Sequence, residues 1–173
     1  VGLVQTKTRL NIKRKLWAGF RLEAMKITIV SHIPMKADQV WALFDSRLFV
    51  ALMPKFPPVK LLRFDGSQKG DTVSLELDFL LFKNRWTSLI TESQESQTRF
   101  WFVDEGVELP FFLSKWKHSH IVEAQNPYNC RIIDQIEYRA KGGLIFDWIW
   151  FLPLYLQFYA RKKQYRNYFL SNV

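Results

Sequence analysis

Ser114-Lys115-Trp116-Lys117-His118-Ser119-His120-Ile121-Val122-Glu123-Ala124-Gln125, followed by Asn126-Pro127-Tyr128-Asn129 and Cys130-Arg131-Ile132-Ile133-Asp134-Gln135-Ile136-Glu137-Tyr138-Arg139-Ala140, is the stretch on which the rest of the chain turns. Side chains alternate between the faces of a strand, so Trp116, His118, His120, Val122 and Ala124 share one side. Charged Lys115, Lys117 and Glu123 take the other. The second run repeats the pattern, with Cys130, Ile132, Asp134, Ile136 and Tyr138 on one face. Asn and Pro between the runs mark a turn, so the two strands form a hairpin with both even-numbered faces inward. A three-residue loop at 126–128 sets His120 opposite Asp134, and a five-residue loop sets it opposite Ile136. The first register is favoured, because a carboxylate beside an imidazole lowers the cost of burying either.

Working outward, the preceding strand, 98–107, puts Phe100, Phe102 and Asp104 on one face and Trp101 and Val103 on the other. Both faces are partly apolar, so parity alone does not choose between them. With Phe100, Phe102 and Asp104 inward, the strand is an aromatic wall with a carboxylate near its end. Further strands are expected at 26–33, 59–64, 71–81 and 85–94, the third with Val73, Leu75, Leu77, Phe79 and Leu81 alternating with polar residues. Ala37, Val40, Trp41 and Phe44 have the spacing of an amphipathic helix of about three turns, and a second short helix fits 46–52 before Pro54.

The last segment, 144–173, begins with an apolar run interrupted by Asp147 and Pro153. Residues 142–160 approach the length of a membrane span, with Arg161-Lys162-Lys163 following as an anchor would. Leu154, Phe158, Tyr165 and Phe169 instead form one stripe of a helix whose other face turns polar, and a long helix packed on a sheet is the preferred reading.

The chain has 173 residues, 48% hydrophobic and 24% charged, which is globular composition and enough for one domain of its own core. One cysteine, Cys130, excludes an internal disulfide and an all-cysteine zinc site. The formal charge of +9 is uneven. Residues 1–24 hold Lys7, Arg9, Lys13, Arg14, Lys15 and Arg21 against Glu23 alone, and 161–173 hold four basic residues and no acid. The body between them is balanced, so a basic stripe on a folded face is not expected and nucleic acid is not the partner. The leader lacks the apolar core of a secretory signal, and the single free cysteine suits the cytoplasm. Residues 1–24 read as a basic extension ahead of a 25–173 domain, with Met25 a candidate natural start. Aromatic residues at 16% require either a coarse-grained core or an aromatic-lined cavity.

The order strand, two short helices, six strands and a long C-terminal helix resembles the helix-grip fold of the START-like (SRPBCC) superfamily, in its polyketide cyclase/dehydrase-like branch. The resemblance covers about residues 25–170. It is carried by Pro34 followed by Val40-Trp41, Phe44-Asp45 and Pro54, by Phe102-x-Asp104, and above all by Trp116-x-His118-x-His120. Asp134-x-x-x-Tyr138 and Phe158-x-x-Arg161 complete it. Many relatives place Gly-Pro-Phe shortly before that tryptophan, whereas Leu109-Pro110-Phe111 here stands further off, and the basic leader has no counterpart. The resemblance implies an α+β fold in which a curved antiparallel sheet wraps the last helix. It also implies a cavity for a hydrophobic molecule of lipid, polyketide or aromatic type.

Phe79, Trp86, Phe100, Phe102, Asp104, Trp116, His118, His120, Asp134, Tyr138, Trp148 and Phe151 are the candidate ligand-binding residues. His118 and His120, with Asp134 or Asp104, have metal-ligand chemistry, but the count of ligands falls short of an ordinary zinc site; neither metal nor cofactor is expected. Buried histidines satisfied by carboxylate are one account of them, and a polar handle in an apolar cavity is another. As an alternative function, His120 and Asp134 are candidate catalytic groups, a general acid/base pair of a cyclase or dehydratase. No serine or cysteine lies in a nucleophile motif. The basic ends also suit peripheral contact with a membrane surface.

Overall fold

The computed structural model describes residues 23–171, so the basic leader lies outside the described residues. Strand β1 (Met25–Ile33) is followed by helices α1 (Ala37–Ala42) and α2 (Ser46–Ala51). Six strands come next: β2 (Val59–Phe64), β3 (Thr72–Asp78), β4 (Lys83–Glu95), β5 (Arg99–Glu108), β6 (Leu113–Asn126) and β7 (Asn129–Ala140). Helix α3 (Leu144–Ser171) ends the fold. The strands form one antiparallel sheet in the order β1-β7-β6-β5-β4-β3-β2, so only the β1–β7 pairing is non-sequential. The sheet curves around α3, and the α+β architecture is the one the element order implied.

The hairpin register is the favoured one, with His120 opposite Asp134 and Trp116 opposite Tyr138. The turn is tighter than a three-residue loop. Asn126 pairs with Asn129, its side-chain oxygen accepts both Tyr128 N–H and Asn129 N–H at 2.9 Å, and a shift between Ala124 and Asn126 restores the parity. Helix α1 is also shorter than about three turns: it stops at Ala42 and the chain turns at Leu43. Asp45 is the cause, since its carboxylate accepts the Arg47 and Leu48 amides and starts α2 there.

Two residues interrupt the apolar run of α3, and the first has a structural explanation. Asp147 is fully buried, accepts Ala140 N–H at 2.6 Å and pairs with Arg139 at 2.7 Å, while Tyr138 Oη donates to its carbonyl at 2.6 Å. The first turn of α3 is thereby riveted to the end of β7, and burial pushes the Tyr138 hydroxyl up to about 12. Pro153 stands inside the helix, which runs on through it. No helix among the described residues is long and apolar enough to cross a membrane.

Leu154, Phe158, Tyr165 and Phe169 are the buried stripe of α3, packed chiefly over β1 and β7. The opposite face turns polar only in the second half of the helix, where Lys162, Lys163, Arg166 and Asn167 are exposed; the first half is apolar there. Ile145, Trp148, Ile149, Leu152 and Leu156 are all more than half exposed, because the sheet covers only one side of the helix. Core packing falls into two clusters. One joins α1, α2 and the end of α3 through Val40, Leu48, Phe100, Val122, Tyr165 and Phe169; the other joins β1, β6 and β7 to the middle of α3 through Ile27, Trp116, Ile136, Leu154 and Phe158.

Candidate functional site: a cavity with a histidine–aspartate end

Because α3 lies over the β1–β7 side of the sheet, the β2–β5 side curls past it and leaves a cavity of about 870 Å³. Its walls come from alternate residues of β3 (Val73, Leu75, Leu77), β4 (Trp86, Ser88, Ile90) and β5 (Phe102, Asp104). Helix α3 closes it with Trp150, Leu154, Phe158 and Arg161. Phe56 and Leu156 also line it while facing solvent, so it opens between the 53–57 loop and the helix.

The polar end is built by three neighbouring strands in register. Phe102 stands opposite His120 and Asp104 opposite His118 on β5 and β6, and β7 brings Asp134 alongside. His118 Nε2 is 3.0 Å from Asp134 Oδ1, and His120 Nδ1 is 3.3 Å from the same oxygen but off the line of a hydrogen bond. On the other side, His118 Nδ1 and His120 Nε2 are each 3.5 Å from Asp104 Oδ2. Trp116 Nε1 donates to Asp104 Oδ1 at 3.1 Å, and Tyr165 Oη donates to Asp134 Oδ1 at 3.4 Å. Aromatic rings box the imidazoles: Phe102 stacks on His120 with centroids 4.4 Å apart, and Phe158 meets His118 edge-on at 5.0 Å.

Burial and the neighbouring His120 hold His118 down to about 4, against the pull of Asp134 and Asp104. Burial also opposes charge on His120, but the two adjacent carboxylates of Asp104 and Asp134 outweigh it and the pKa is raised. Both carboxyls are lowered, because the imidazoles overcome the desolvation that acts against them. The two buried imidazoles are therefore shifted in opposite directions between two carboxylates, His118 toward its neutral form and His120 toward its charged one.

Of the sequence-derived candidates, Phe79, Trp86, Phe102, Asp104, Trp116, His118 and His120 line the cavity. Five do not. Asp134 is wholly buried behind the histidines. Phe100 lies beyond the cavity, under Trp41 of α1 with ring centroids 5.6 Å apart. Tyr138 is spent on the Asp147 carbonyl. Trp148 is 64% exposed on the outer face of α3, and Phe151 packs against its helix neighbours Trp148 and Tyr155. The helix presents Trp150, Leu154, Phe158 and Arg161 instead, and their spacing continues the Leu154–Phe158 stripe one turn each way. Arg161 lies over the Phe158 ring at 4.1 Å, with its buried Nε unpartnered among the described residues.

No family model matches the chain, and no curated protein matches it either. Solved structures do. Norcoclaurine synthase from Thalictrum flavum, in complex with dopamine and hydroxybenzaldehyde, superposes with a TM-score of 0.63 at 16% identity, covering 87% of this chain and 88% of that one. The chain has the helix-grip fold. The same helix-grip architecture links it to Ara h 8.0201, with a TM-score of 0.60 at 14% identity over 86% of this chain and 99% of that one. The Zhui aromatase/cyclase from Streptomyces sp. R1128 gives 0.53 at 16% identity over 70% of this chain and 71% of that one. At such identities the likeness is one of fold. The helix-grip neighbours include ligand-binding and cyclase-type proteins.

Proposed function

We propose that the protein binds a hydrophobic small molecule of lipid, polyketide or aromatic type, with one polar group held at the His118–His120–Asp104 end of the cavity. The observation that carries this is the cavity itself, about 870 Å³ with mostly apolar walls, in which the only ionisable lining residues among those described are Lys55, Asp104, His118, His120 and Arg161. Small-molecule sites have this size and this ratio of apolar wall to placed polar group. Native mass spectrometry of freshly purified protein should show a retained small molecule, and an environment-sensitive fatty-acid probe should bind saturably. Absence of both would leave the aromatic residues as plain core.

A second reading, cyclisation or dehydration, is favoured by the two imidazoles and one carboxylate that open directly on the cavity. Such groups within reach of a bound carbonyl compound have the chemistry to move protons between carbon and oxygen. Turnover of a polyketide-type substrate that is lost in His120→Ala while the substrate still binds would select this reading over simple carriage.

Loading at a membrane surface is supported by the exposed outer face of α3. Ile145, Trp148, Ile149, Leu152 and Leu156 lead along it to Lys162 and Lys163, an apolar stripe ending in cations beside the cavity mouth. Co-sedimentation with anionic but not neutral vesicles, reduced in Trp148→Ser, is the expected result.

A further inference from the structure

Asp134 is completely buried, and an ionised carboxylate only accepts hydrogen bonds. Its Oδ1 accepts from His118 Nε2 at 3.0 Å and stands 3.3 Å from His120 Nδ1. A neutral imidazole has one N–H and one lone pair. With the protons on the Asp134 side, His118 Nδ1 and His120 Nε2 are lone pairs, and both face away from Asp134. What they face is Asp104 Oδ2, a third acceptor, 3.5 Å from each. The other Asp104 oxygen is already held by Trp116 Nε1. Three electron-pair donors on β5 and β6 thus converge, all within 4.8 Å of one another.

The spacing has a meaning. A charge-assisted hydrogen bond draws nitrogen and oxygen to about 2.7–2.9 Å, and both contacts to Asp104 are longer than that. Ligand atoms about 2.1 Å from a tetrahedral zinc-type ion stand roughly 3.4 Å apart along each edge. The two imidazole–carboxylate edges measure 3.5 Å.

We propose that Asp104 Oδ2, His118 Nδ1 and His120 Nε2 are the ligands of one divalent transition-metal ion of the zinc type, with Asp134 fixing the His118 imidazole from behind and Phe102 stacked on that of His120. Two nitrogens and one carboxylate oxygen suit zinc, cobalt(II) or iron(II) rather than magnesium or calcium. For His118, Asp134 occupies the place of the carboxylate that orients a metal-bound histidine through its outer nitrogen. Trp116 does the same for Asp104. All three ligand residues line the cavity and Asp134 does not, so the fourth position opens on the cavity. The ion would receive an oxygen atom of the cavity's occupant, which adds a coordination bond to the binding reading on which this inference rests.

The full chain, stripped with a chelator, is titrated with Co²⁺ and then Zn²⁺. One equivalent of Co²⁺ is expected to give the intense visible bands of a four-coordinate site, which Zn²⁺ removes. Asp104→Asn and His120→Gln should each weaken Co²⁺ binding at least ~100-fold, and Asp134→Asn by roughly 10- to 100-fold. Should a variant fold poorly, imidazole ¹⁵N spectra of the wild-type chain give the answer alone: Zn²⁺ should move His118 Nδ1 and His120 Nε2 and leave His118 Nε2 protonated. No saturable Co²⁺ binding, binding unchanged in Asp104→Asn, or Zn²⁺ acting only on exposed His32 would overturn the proposal in favour of a proton-bridged cluster. An apolar probe is titrated into the stripped protein in parallel. Probe binding without metal binding defeats the metal site alone, and metal binding without probe binding defeats the cavity reading alone.

Discussion

Asp134 stands opposite His120 in the β6–β7 ladder, yet its hydrogen bond goes one pleat along, to His118 at 3.0 Å. The His118 ring reaches across to β7, while His120 is stacked on Phe102 with its Nδ1 off-line from the carboxylate. One buried acid therefore serves two imidazoles unequally, and the two titrate in opposite directions.

A pH dependence of stability follows for the metal-stripped protein. His118, at about 4 in the fold and 6.5 unfolded, binds its proton more readily when unfolded, so its contribution is lost as pH falls from 6.5 toward 4. The lowered pKa values of Asp104 and Asp134 extend that loss below 3.8. His120 is raised, so its contribution is full below 6.5 and disappears as pH rises through its folded value. Tm should therefore fall on both sides of a maximum near 6.5. In His118→Asn the acid limb between 6.5 and 4 should flatten, and a profile identical to wild type would contradict the assignment.

The Asp147 rivet predicts a large stability effect at a residue that does not line the cavity. Asp147→Ala removes the acceptor of Ala140 N–H and leaves Arg139 unpaired at a largely buried position. Breaking a buried pair on one side costs about 3–5 kcal/mol. For a chain of this length that is roughly 6–20 °C in Tm. Calorimetry of the variant is the measurement, and a loss under about 1 kcal/mol would mean that the contact is dispensable.

The cavity walls predict which positions matter for binding. Leu75→Trp adds bulk inside the cavity and should weaken an apolar probe by about tenfold or more. Trp148→Ala, on the outer face, should leave the affinity of that probe in solution within about twofold, since only solvent-facing area is lost. A reversed order in fluorescence titrations would place the ligand elsewhere.

Cys130 is fully buried, and burial pushes its thiol up to about 11. At pH 7 only about one molecule in ten thousand then carries the reactive thiolate. Alkylation followed by mass spectrometry should be negligible in the native protein and complete in denaturant. Rapid native labelling would show that the β1–β7 end of the sheet opens readily.

Much of this was legible in the sequence because strand parity is a local rule. Alternation alone put Trp116, His118, His120 and Asp134 on inward faces, and the cost of burying a lone carboxylate chose the register that sets Asp134 beside the imidazoles. Asp104 was on the right face but not decided, since Trp101 and Val103 made its strand apolar on both sides.

The sequence by itself determined the order of elements, the long last helix and the shared inward side of His118, His120 and Asp134, and it favoured the hairpin register that the structure has. Periodicity and turn chemistry act between residues close in the chain. Tertiary structure alone decided that α3 lies toward β1 and β7, because that placement depends on how far the whole sheet curls. From it follow the cavity beside Leu75 and Trp86, the choice of Trp150 and Arg161 over Trp148 and Phe151, and the covering of Phe100 by Trp41. A helix rotates its side chains by about 100° per residue, so an error of one or two positions on α3 exchanges the cavity face for the solvent face. Only packing against the sheet fixes that rotation.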